Sequence, residues 1–328
     1  MLDKVFITNL PAFYKIKLFN EIAKRQDIKV IFLEKTGVDR LPDFYDEPIM
    51  FSYAFTDNIL KILHYAAKTR EIIVGGWDSK ENWFFAFAFP KKKLGIMVES
   101  SCYESMVTGL RGLLKKIFLS RIATAYCGGV PHKELMLRLG FKGEIRMTGG
   151  VGLIRRQPQS QYEPRKTVSR FLYVGRLVAV KNLELLIDVF NELPDLHLDI
   201  IGFGVLEEEL KQLASKNISF LGAIDNAALG AYYQVSDVFV LPSTSEPWGL
   251  VVEEALNNGC PVIVSDKVGC KDDLVSAETG LVFEHSSKES LKEAIKKMCD
   301  VNFYNRLRLG VSKLDFEKRE RAQIEAFL

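Results

Sequence analysis

The strongest constraint on the fold is a repeated alternation of short apolar runs with longer amphipathic stretches. Short runs rich in Val, Ile and Phe are typical of buried strands, and the amphipathic stretches between them are typical of helices. Strands and helices that alternate in this way form parallel sheets with helices on both faces. We therefore predict an α/β fold made of doubly wound, Rossmann-like domains.

The predicted strands fall into two series with a polar segment between them. They are residues 4–8, 29–33, 71–74, 94–98, 123–127 and 144–148, then 170–175, 196–201, 218–221, 238–241, 261–265 and 280–283. Helical patterns lie between most of them, and the last stretch, from residue 291 to 328, is predicted to be wholly helical.

The polar segment carries Gln, Pro and charge without periodicity, which is typical of an interdomain linker. We predict a first domain over 1–155, a linker over 156–168, a second domain over 169–310 and a C-terminal helix over 311–328. A return of that helix to the first domain is one option. Two such domains would face each other across a cleft at the carboxyl ends of their strands, where open α/β sheets bind ligands.

Composition agrees with a globular protein of two domains. The 328 residues are 48% hydrophobic and 26% charged, which excludes a disordered chain. The net charge of +2 divides into +7 for residues 1–150 and −5 for the rest. This asymmetry indicates either that the first half meets an anionic partner or that two solvated faces simply differ.

The cysteines and the N-terminus bear on the compartment. Five cysteines without C-x-x-C spacing fit reduced thiols better than disulfides or a zinc site. The N-terminus lacks the basic and apolar regions of a signal peptide, and the most apolar run, residues 83–89, is too short to span a bilayer. We expect a cytoplasmic protein.

Cations and glycines follow the first two predicted strands of the second domain. Gly175 and Arg176 end one strand, and Lys181 precedes the next helix. Two cations beside a helix start suit a diphosphate, although they are also compatible with surface residues flanking a turn. Gly202 and Gly204 follow the next strand. A lone G-x-G is a weak nucleotide signal and equally permits a tight turn or the approach of a ligand.

A pair of acids surrounds a later helix start. Glu246 precedes the helix that Gly249 opens, Glu254 lies inside it, and the amides of Leu250 and Val251 are expected to face outward at its positive end. A carboxylate accepts two hydroxyl hydrogen bonds, so this set could hold both a sugar and a phosphate. The alternative is a helix cap at Glu246 and a solvated Glu254.

Together these motifs resemble the nucleotide-sugar half of family 4 retaining glycosyltransferases (glycosyl transferases group 1), which have the GT-B fold. The resemblance covers residues 170–285 and includes the E-x7-E relation of Glu246 and Glu254. It implies that Arg176 and Lys181 bind the donor diphosphate and stabilise the leaving group. Glu254 would hold the ribose, and Glu246 would contact the transferred sugar.

The resemblance also implies the remaining donor contacts. The donor would be a nucleotide sugar, most simply a UDP-sugar, used with retention and without a cofactor or metal ion. The donor-binding residues would be Gly175, Gly202, Gly204, Ala223, Ile224, Gly249, Leu250, Val251 and Glu254, with Ala223 and Ile224 contacting the base through their backbone.

The first half departs from the family pattern. Tyr14 and Lys15 lie where many members carry a glycine pair, and we expect them to contact the acceptor. Glu99 lies where many members place a histidine, and we expect it to act as a catalytic residue that orients the acceptor hydroxyl or balances oxocarbenium charge. The alternative is that Glu99 caps the next helix. The residues 149–152, Gly-Gly-Val-Gly, replace the Asn-Gly-Val-Asp of many members.

The basic first half suggests what the acceptor is attached to. A cationic turn at 91–93 and a basic amphipathic stretch at 107–121 suit an anionic membrane surface or a lipid phosphate, although such a stripe can also face its own core. We therefore predict transfer to a glycan or lipid-linked acceptor in surface polysaccharide or glycoconjugate synthesis. The enzyme would be cytoplasmic or peripheral on the inner membrane face, with no nucleic acid partner. The alternatives are a nucleotide-sugar epimerase and a non-catalytic nucleotide-sugar-binding protein.

Overall fold

A computed structural model describes residues 2–37, 40–158 and 162–328. The chain divides into two compact units, one formed by Met1–Leu153 with Glu317–Leu328 and the other by Ile154–Phe316. The predicted linker, 156–168, falls partly outside the described residues. The unit boundaries at 153 and 316 differ from the predicted 155 and 310, because the helix that ends at residue 311 packs on its neighbour in the second unit.

The first unit, as far as it is described, contains a seven-stranded parallel sheet in the order β3-β2-β1-β4-β5-β6-β7. Its strands are β1 (Leu2–Thr8), β2 (Ile28–Phe32), β3 (Ser52–Phe55), β4 (Thr69–Val74), β5 (Leu94–Val98), β6 (Thr124–Cys127) and β7 (Glu144–Met147). Its helices are α1 (Phe13–Ala23), α2 (Ile59–Ala66), α3 (Lys80–Ala88), α4 (Gly109–Ser120) and α5 (Val130–Arg138). The central strands are buried on both faces, as expected for a sheet covered by helices on each side.

The second unit contains a six-stranded parallel sheet in its described part, in the order β10-β9-β8-β11-β12-β13. The strands are β8 (Arg170–Val174), β9 (His197–Ile201), β10 (Ile218–Gly222), β11 (Val238–Leu241), β12 (Val262–Ser265) and β13 (Gly280–Phe283). The helices are α6 (Leu183–Asn191), α7 (Glu207–Leu213), α8 (Leu229–Val235), α9 (Leu250–Asn257), α10 (Lys271–Leu274), α11 (Lys288–Met298) and α12 (Val301–Val311).

These observations confirm the predicted α/β fold class, with two doubly wound parallel sheets. Each sheet reverses its strand order once, between β1 and β4 in the first unit and between β8 and β11 in the second. In open α/β sheets this reversal creates a crevice at the carboxyl ends of the strands. The reversal in the second sheet therefore marks where a ligand would bind in that unit.

Two elements of the first unit were missed by the sequence patterns. Strand β3 is an exposed edge strand, so its sequence has neither a buried run nor a one-sided apolar pattern. Helix α3 begins at a Ser79 cap, whose hydroxyl accepts a hydrogen bond from the Asn82 amide, and it carries aromatic residues around its whole circumference. Without an apolar stripe, the helical period does not appear in the sequence.

The predicted single helical stretch at the C-terminus consists of three helices, α11, α12 and α13 (Phe316–Glu325). Asp300 caps the start of α12, accepting hydrogen bonds from the Asn302 and Phe303 amides. Residues after 316 belong to the first unit, where Phe327 stacks on Tyr126 with 4.6 Å between ring centroids. No helix within the described residues is long and apolar enough to cross a membrane.

Candidate functional site

The predicted cation and acid of the second unit come together at the point where the strand order reverses. Lys181 ends a short 3₁₀ turn after β8, and Glu246 follows β11. Because β8 and β11 are neighbours in the sheet, their following loops lie side by side, and the Lys181 Nζ forms an ion pair with Glu246 Oε2. Both side chains are about 15% exposed, so they are largely shielded but reachable from solvent.

The loop that carries Lys181 is held by backbone contacts to its neighbours. Thr244 N donates to Val180 O at 2.9 Å. Asn182 adopts the left-handed conformation (φ 56°), and its side-chain Nδ2 donates to Pro242 O at 3.2 Å and His285 O at 2.9 Å. These bonds tie the loops after β8, β11 and β13 together. The ammonium of Lys181 is therefore positioned before any ligand binds.

The segment that carries Glu246 is fixed in the same way by the loop after β12. Glu246 N donates to Lys267 O at 3.1 Å, and Gly269 N donates back to Glu246 O at 2.8 Å. Added to Gly269, a Cβ would lie 1.8 Å from Pro247 O, so only glycine permits this close approach of the two backbones. The carboxylate of Glu246 thus extends from a rigid double loop.

Helix α9 begins at Gly249, as predicted, and Gly249 has a φ of 103° that other residues rarely adopt. The first amides of a helix have no intrahelical partner, so those of Leu250 and Val251 lie at its positive end. Trp248, which is buried, donates its indole N–H to Glu253 Oε2 at 3.0 Å and fixes the entry to the helix.

Glu254 is not the solvated residue of the alternative interpretation. Its carboxylate accepts a hydrogen bond from the buried Tyr233 hydroxyl at 3.3 Å. Burial raises the pKa of Glu254 to about 7, although the Tyr233 hydrogen bond lowers it in part, while the nearby Glu253 charge raises it. A carboxyl with a pKa near neutrality can serve both as hydrogen-bond acceptor and as donor within the physiological pH range.

The glycines after β9 allow that loop to pack closely on the backbone of the loop after β8. Gly202 has a φ of 138°, and a Cβ there would lie 1.8 Å from Gly175 O. Similarly, a Cβ on Gly204 would lie 2.3 Å from Leu177 O. The sequence allowed these glycines to serve either a tight turn or the approach of a ligand. The close contact between the two neighbouring loops is sufficient to explain them. Arg176 lies in this packed loop, with its carbonyl accepting the Tyr173 hydroxyl at 2.9 Å.

The predicted base-binding residues follow β10. Gly222 ends the strand with a φ of 70°, and Ala223 and Ile224 continue into a turn that Asp225 closes by accepting a hydrogen bond from the Ala227 amide at 2.7 Å. Strand β10 is the edge strand of the sheet, beside β9. Ala223 and Ile224 thus lie farther from the strand reversal than Lys181 and Glu246, at the same carboxyl edge.

In the first unit the predicted residues Lys15 and Glu99 form an ion pair of 2.6 Å. Lys15 is buried and also donates to Thr8 Oγ1 at 3.1 Å, while the Glu99 side chain remains 32% exposed. Burial is the largest single influence and opposes the charge of Lys15, but Glu99 and Tyr14 together outweigh it and the pKa of Lys15 is raised. The ion pair holds the Glu99 carboxylate in place, and the acceptor contacts expected of Tyr14 and Lys15 stay predictions. The alternative, in which Glu99 caps the next helix, is wrong, because α4 begins only at Gly109.

Tyr14 lies against the glycine-rich segment that departs from the family pattern. Leu153 N donates to Tyr14 O at 2.9 Å, and a Cβ on Gly152 would come within 2.3 Å of the Tyr14 ring. Gly152 is therefore needed to pack the segment against α1.

Among the histidines, His132 is fully buried, and burial lowers its pKa to about 4 despite a hydrogen bond with the Glu99 backbone.

The sequence patterns missed one feature of the first unit, a cavity of about 680 Å³ beyond β4 and β5. Trp77, Trp83 and Glu104 are among the residues that line it. Trp83 belongs to the helix α3 that shows no periodicity, so the signal that could have found it is the aromatic run itself. No group of three or more His, Cys, Asp or Glu side chains that could hold a metal ion is present in the described parts of either unit.

Comparison with known proteins gives a family match within the second unit. Residues 155–309 match the family described as Glycosyl transferases group 1. The match is to this wider group, and membership of family 4 within it remains a prediction. The sulfoquinovosyl transferase SQD2 of Arabidopsis thaliana is 36% identical over 134 residues, which are 40% of this chain and 26% of that protein.

A GDP-mannose-dependent alpha-mannosyltransferase of Mycolicibacterium smegmatis is 38% identical over 112 residues, covering 34% of this chain and 29% of that protein. The chain thus aligns with about a quarter to three tenths of the length of these two curated relatives. Among solved structures, Anabaena HepE in complex with UDP has a TM-score of 0.73 at 13% identity, with 99% of both chains covered. The lipopolysaccharide outer core galactosyltransferase WaaB has a TM-score of 0.72 at 15% identity, with both chains fully covered.

Proposed function

We propose, on the premise that residues 155–309 belong to the Glycosyl transferases group 1 family, that this chain is a retaining glycosyltransferase that uses a nucleotide sugar. The observation that carries the proposal is the Lys181–Glu246 pair at the strand reversal of the second sheet. At this point a cation that could bind a phosphate and a carboxylate that could bind sugar hydroxyls are in direct contact.

The proposed reaction breaks the bond between the anomeric carbon and the β-phosphate oxygen, and the electron pair leaves with the diphosphate. The acceptor hydroxyl oxygen forms the new bond on the same face, and its proton passes to an oxygen of the departing diphosphate. Negative charge grows on the departing diphosphate, so fixed cations at Arg176 and Lys181 favour the transition state over the bound donor. The amides of Leu250 and Val251 add the positive end of α9.

Binding of the donor would exchange partners within the site. In the structure, Lys181 and Glu246 neutralise each other. An arriving diphosphate would take the ammonium, and the freed Glu246 carboxylate would accept hydroxyls of the transferred sugar. Such an exchange keeps both charges partnered throughout, which matters because a largely buried unpaired charge is costly.

Support for a UDP-sugar donor comes from similarity alone. HepE, which has the same fold, is described in complexes with UDP and with UDP-glucose. We propose a UDP-sugar as the donor on this ground, with no cofactor and no metal ion. The acceptor we propose is a glycan or lipid-linked glycan, in line with the lipopolysaccharide function named for WaaB.

Contact with an anionic membrane is part of the proposal for a lipid-linked acceptor. Part of the apolar stripe of α4 is exposed, since Leu110, Leu113 and Ile117 are 72%, 54% and 41% exposed, whereas Phe118 packs in the core of the unit. Basic residues lie between them on the helix, as in helices that bind at anionic interfaces. Sedimentation with phosphatidylglycerol vesicles tests this, with binding expected to fall at least fivefold in the double variant Leu110→Ser, Leu113→Ser.

The function itself is tested by nucleotide binding and turnover. A thermal-shift screen with UDP, GDP and ADP should show stabilisation by one of them, since a ligand that binds only the folded state raises its stability. Nucleotide release from the matching nucleotide sugar should depend on an added glycan acceptor, and the product linkage should keep the anomeric configuration. Lys181→Ala and Glu246→Ala should abolish transfer, whereas the surface variant Lys211→Ala, in the same unit, should not.

Three results would count against the proposal. Near-normal turnover in both Lys181→Ala and Glu246→Ala would remove the pair from the mechanism. Conversion of the donor sugar without any acceptor would indicate an epimerase. Donor binding without turnover on any acceptor would indicate a binding protein.

A further inference from the structure

The cavity of the first unit lies at the carboxyl ends of its strands, the edge at which open α/β sheets bind ligands, and one strand beyond the reversal between β1 and β4. Its walls come from the segments that follow β4 and β5, neighbouring strands of the sheet, and from α3 and α4. Its volume of about 680 Å³ is within the range of roughly 300–1,000 Å³ that is usual for small-molecule sites. The donor residues described above belong to the other unit and do not line it.

Two indole rings form a rigid apolar wall in this cavity. The indole N–H of Trp83 donates to Trp77 O at 2.9 Å, and the Trp83 ring packs on the buried Phe118 with 5.1 Å between centroids. Asn82 donates to Gly76 O at 3.0 Å, which fixes the residue before Trp77. The Trp83 ring and the backbone that carries Trp77 are therefore held in place before a ligand binds, so covering this wall costs little conformational entropy of the protein.

The polar groups of the cavity carry no net charge. Asp78 and Glu104 contribute two carboxylates, and Arg111 and Lys115 contribute two cations. Lys115 is already engaged, because its Nζ donates to Ser105 Oγ at 2.5 Å and Met106 O at 3.1 Å and lies 5.3 Å from the Trp77 ring centroid. Carboxylates beside the cations disfavour a phosphate, whereas they accept hydroxyl hydrogen bonds well.

A flat aromatic wall with carboxylates beside it suits one class of ligand. One face of a pyranose ring presents C–H bonds and is apolar, while its edge carries hydroxyl donors. The geometry points to a subsite in the first unit that binds a neutral sugar ring of the acceptor glycan, with its apolar face on Trp77 and its hydroxyls on Asp78 and Glu104. That this sugar is the acceptor rests on the proposed function, whereas the subsite is defined by first-unit residues alone.

Direct binding of simple sugars tests the subsite without a turnover assay. We would titrate the full chain with methyl α-glucoside, methyl β-galactoside, methyl α-mannoside, maltose and lactose, and with sodium phosphate, using saturation-transfer NMR. At least one neutral sugar should bind saturably. Its affinity should fall at least tenfold in Trp77→Ala and in the double variant Asp78→Asn, Glu104→Gln. Phe84→Ala, which removes an exposed aromatic ring of α3 outside the cavity wall, should bind within twofold of the wild type.

The outcomes separate the two proposals. Binding of none of the five sugars, binding that survives Trp77→Ala, or Trp77-dependent binding of phosphate would each overturn the subsite. UDP titrated into the same samples reports on the second unit. If the wild type bound a neutral sugar but did not bind UDP, the proposed function would be overturned and the subsite would not. If Trp77→Ala does not fold, two other variants test the subsite. Trp77→Phe should bind the sugar with intermediate affinity, and the double variant Asp78→Asn, Glu104→Gln should bind it with strongly reduced affinity.

Discussion

The two sheets share a design but use their strand reversals differently. In the second unit, the loops after β8 and β11 place Lys181 and Glu246 in contact while both remain partly exposed. In the first unit, the charges after β1 and β5 also pair, but Lys15 is buried and held by Thr8. The open space of the first unit lies instead beside Trp77. The same topology therefore yields two partly exposed charges in one unit and, in the other, a buried cation paired with a more exposed carboxylate, together with an aromatic cavity.

The strongest test of this comparison is to substitute an arginine at each end of β8. Arg176 follows the strand at its carboxyl end, and Arg170 begins it at the opposite end, where it pairs with Asp199 at 3.3 Å. If the carboxyl edge carries the chemistry, Arg176→Ala should lower turnover by about 10²–10³-fold, or roughly 3–4 kcal/mol of transition-state stabilisation. The measurement is kcat/KM for the donor.

Arg170→Ala is the matched control, since it removes the same side chain from the same strand. The Arg170 side chain is 52% exposed, so its ion pair is worth at most about 1 kcal/mol of stability and its removal should leave turnover within twofold. Equal losses in the two variants would show that the effect comes from β8 as a whole and not from its carboxyl edge.

In the first unit the expected effect is on stability. Lys15→Met leaves the Glu99 carboxylate without its cation, and breaking a buried pair costs about 3–5 kcal/mol. We expect a loss at the lower end of this range, about 3 kcal/mol, because the Glu99 side chain is 32% exposed and water can partly solvate its charge. Urea unfolding followed by the fluorescence of Trp77 and Trp83 reports on this unit, and a Trp248→Phe background removes the signal of the second unit.

The double variant Lys15→Met, Glu99→Gln separates loss of the pair from loss of packing. It removes both charges, so its stability should recover most of the difference. A double variant as unstable as Lys15→Met would mean that the Lys15 side chain acts through packing alone, and the comparison with the second unit would lose its electrostatic basis.

Much of this arrangement could be predicted, for a specific physical reason. Residues that follow neighbouring strands of a parallel sheet must lie near one another, so the spacing of Lys181 and Glu246 after β8 and β11 was informative before any coordinates. The pairing of Lys15 with Glu99 was not predicted, because ion pairs between loops depend on side-chain direction. The cavity was missed because α3 has aromatic residues all around it and its Trp83 carries no periodic signal.

The tight loops of the second unit give a smaller, purely steric test. Gly202→Ala would place its Cβ 1.8 Å from Gly175 O, which forces the loop that carries Arg176 to move. We expect a loss of about 1–3 kcal/mol in stability, as for other overpacked positions, together with weaker donor binding. Chemical unfolding and UDP calorimetry would measure the two effects.

Gly222→Ala provides the control for backbone strain. Gly222 also has a positive φ, of 70°, but a Cβ there meets nothing within 4 Å. This variant should lose about 1–2 kcal/mol from the left-handed conformation alone and should keep its affinity for UDP. Unchanged UDP binding in Gly202→Ala as well would mean that the G-x-G turn does not position the donor loop.

The smallest expected effect concerns Glu254, and it has opposite signs for stability and binding. Because the pKa of Glu254 is raised from its ordinary 4.5 to about 7, mainly by burial, the folded chain holds this proton more tightly than the unfolded chain. Its contribution to stability therefore falls as the pH rises from about 4.5 to about 7. An ionised carboxylate accepts two ribose hydroxyls at once, whereas a protonated carboxyl loses one of these acceptor positions, so donor affinity should rise between pH 6 and pH 8.

The size of the rise follows from the ionised fraction, which goes from about one tenth to about nine tenths for a pKa near 7, giving up to about ninefold. UDP-glucose is the proper probe, since its phosphates do not titrate in this range. Glu254→Gln should flatten the profile, and Tyr233→Phe should move its midpoint to higher pH by removing a hydrogen bond that lowers the pKa. A wild-type profile already flat from pH 6 to 8 would exclude the ionised carboxylate as the group that holds the ribose.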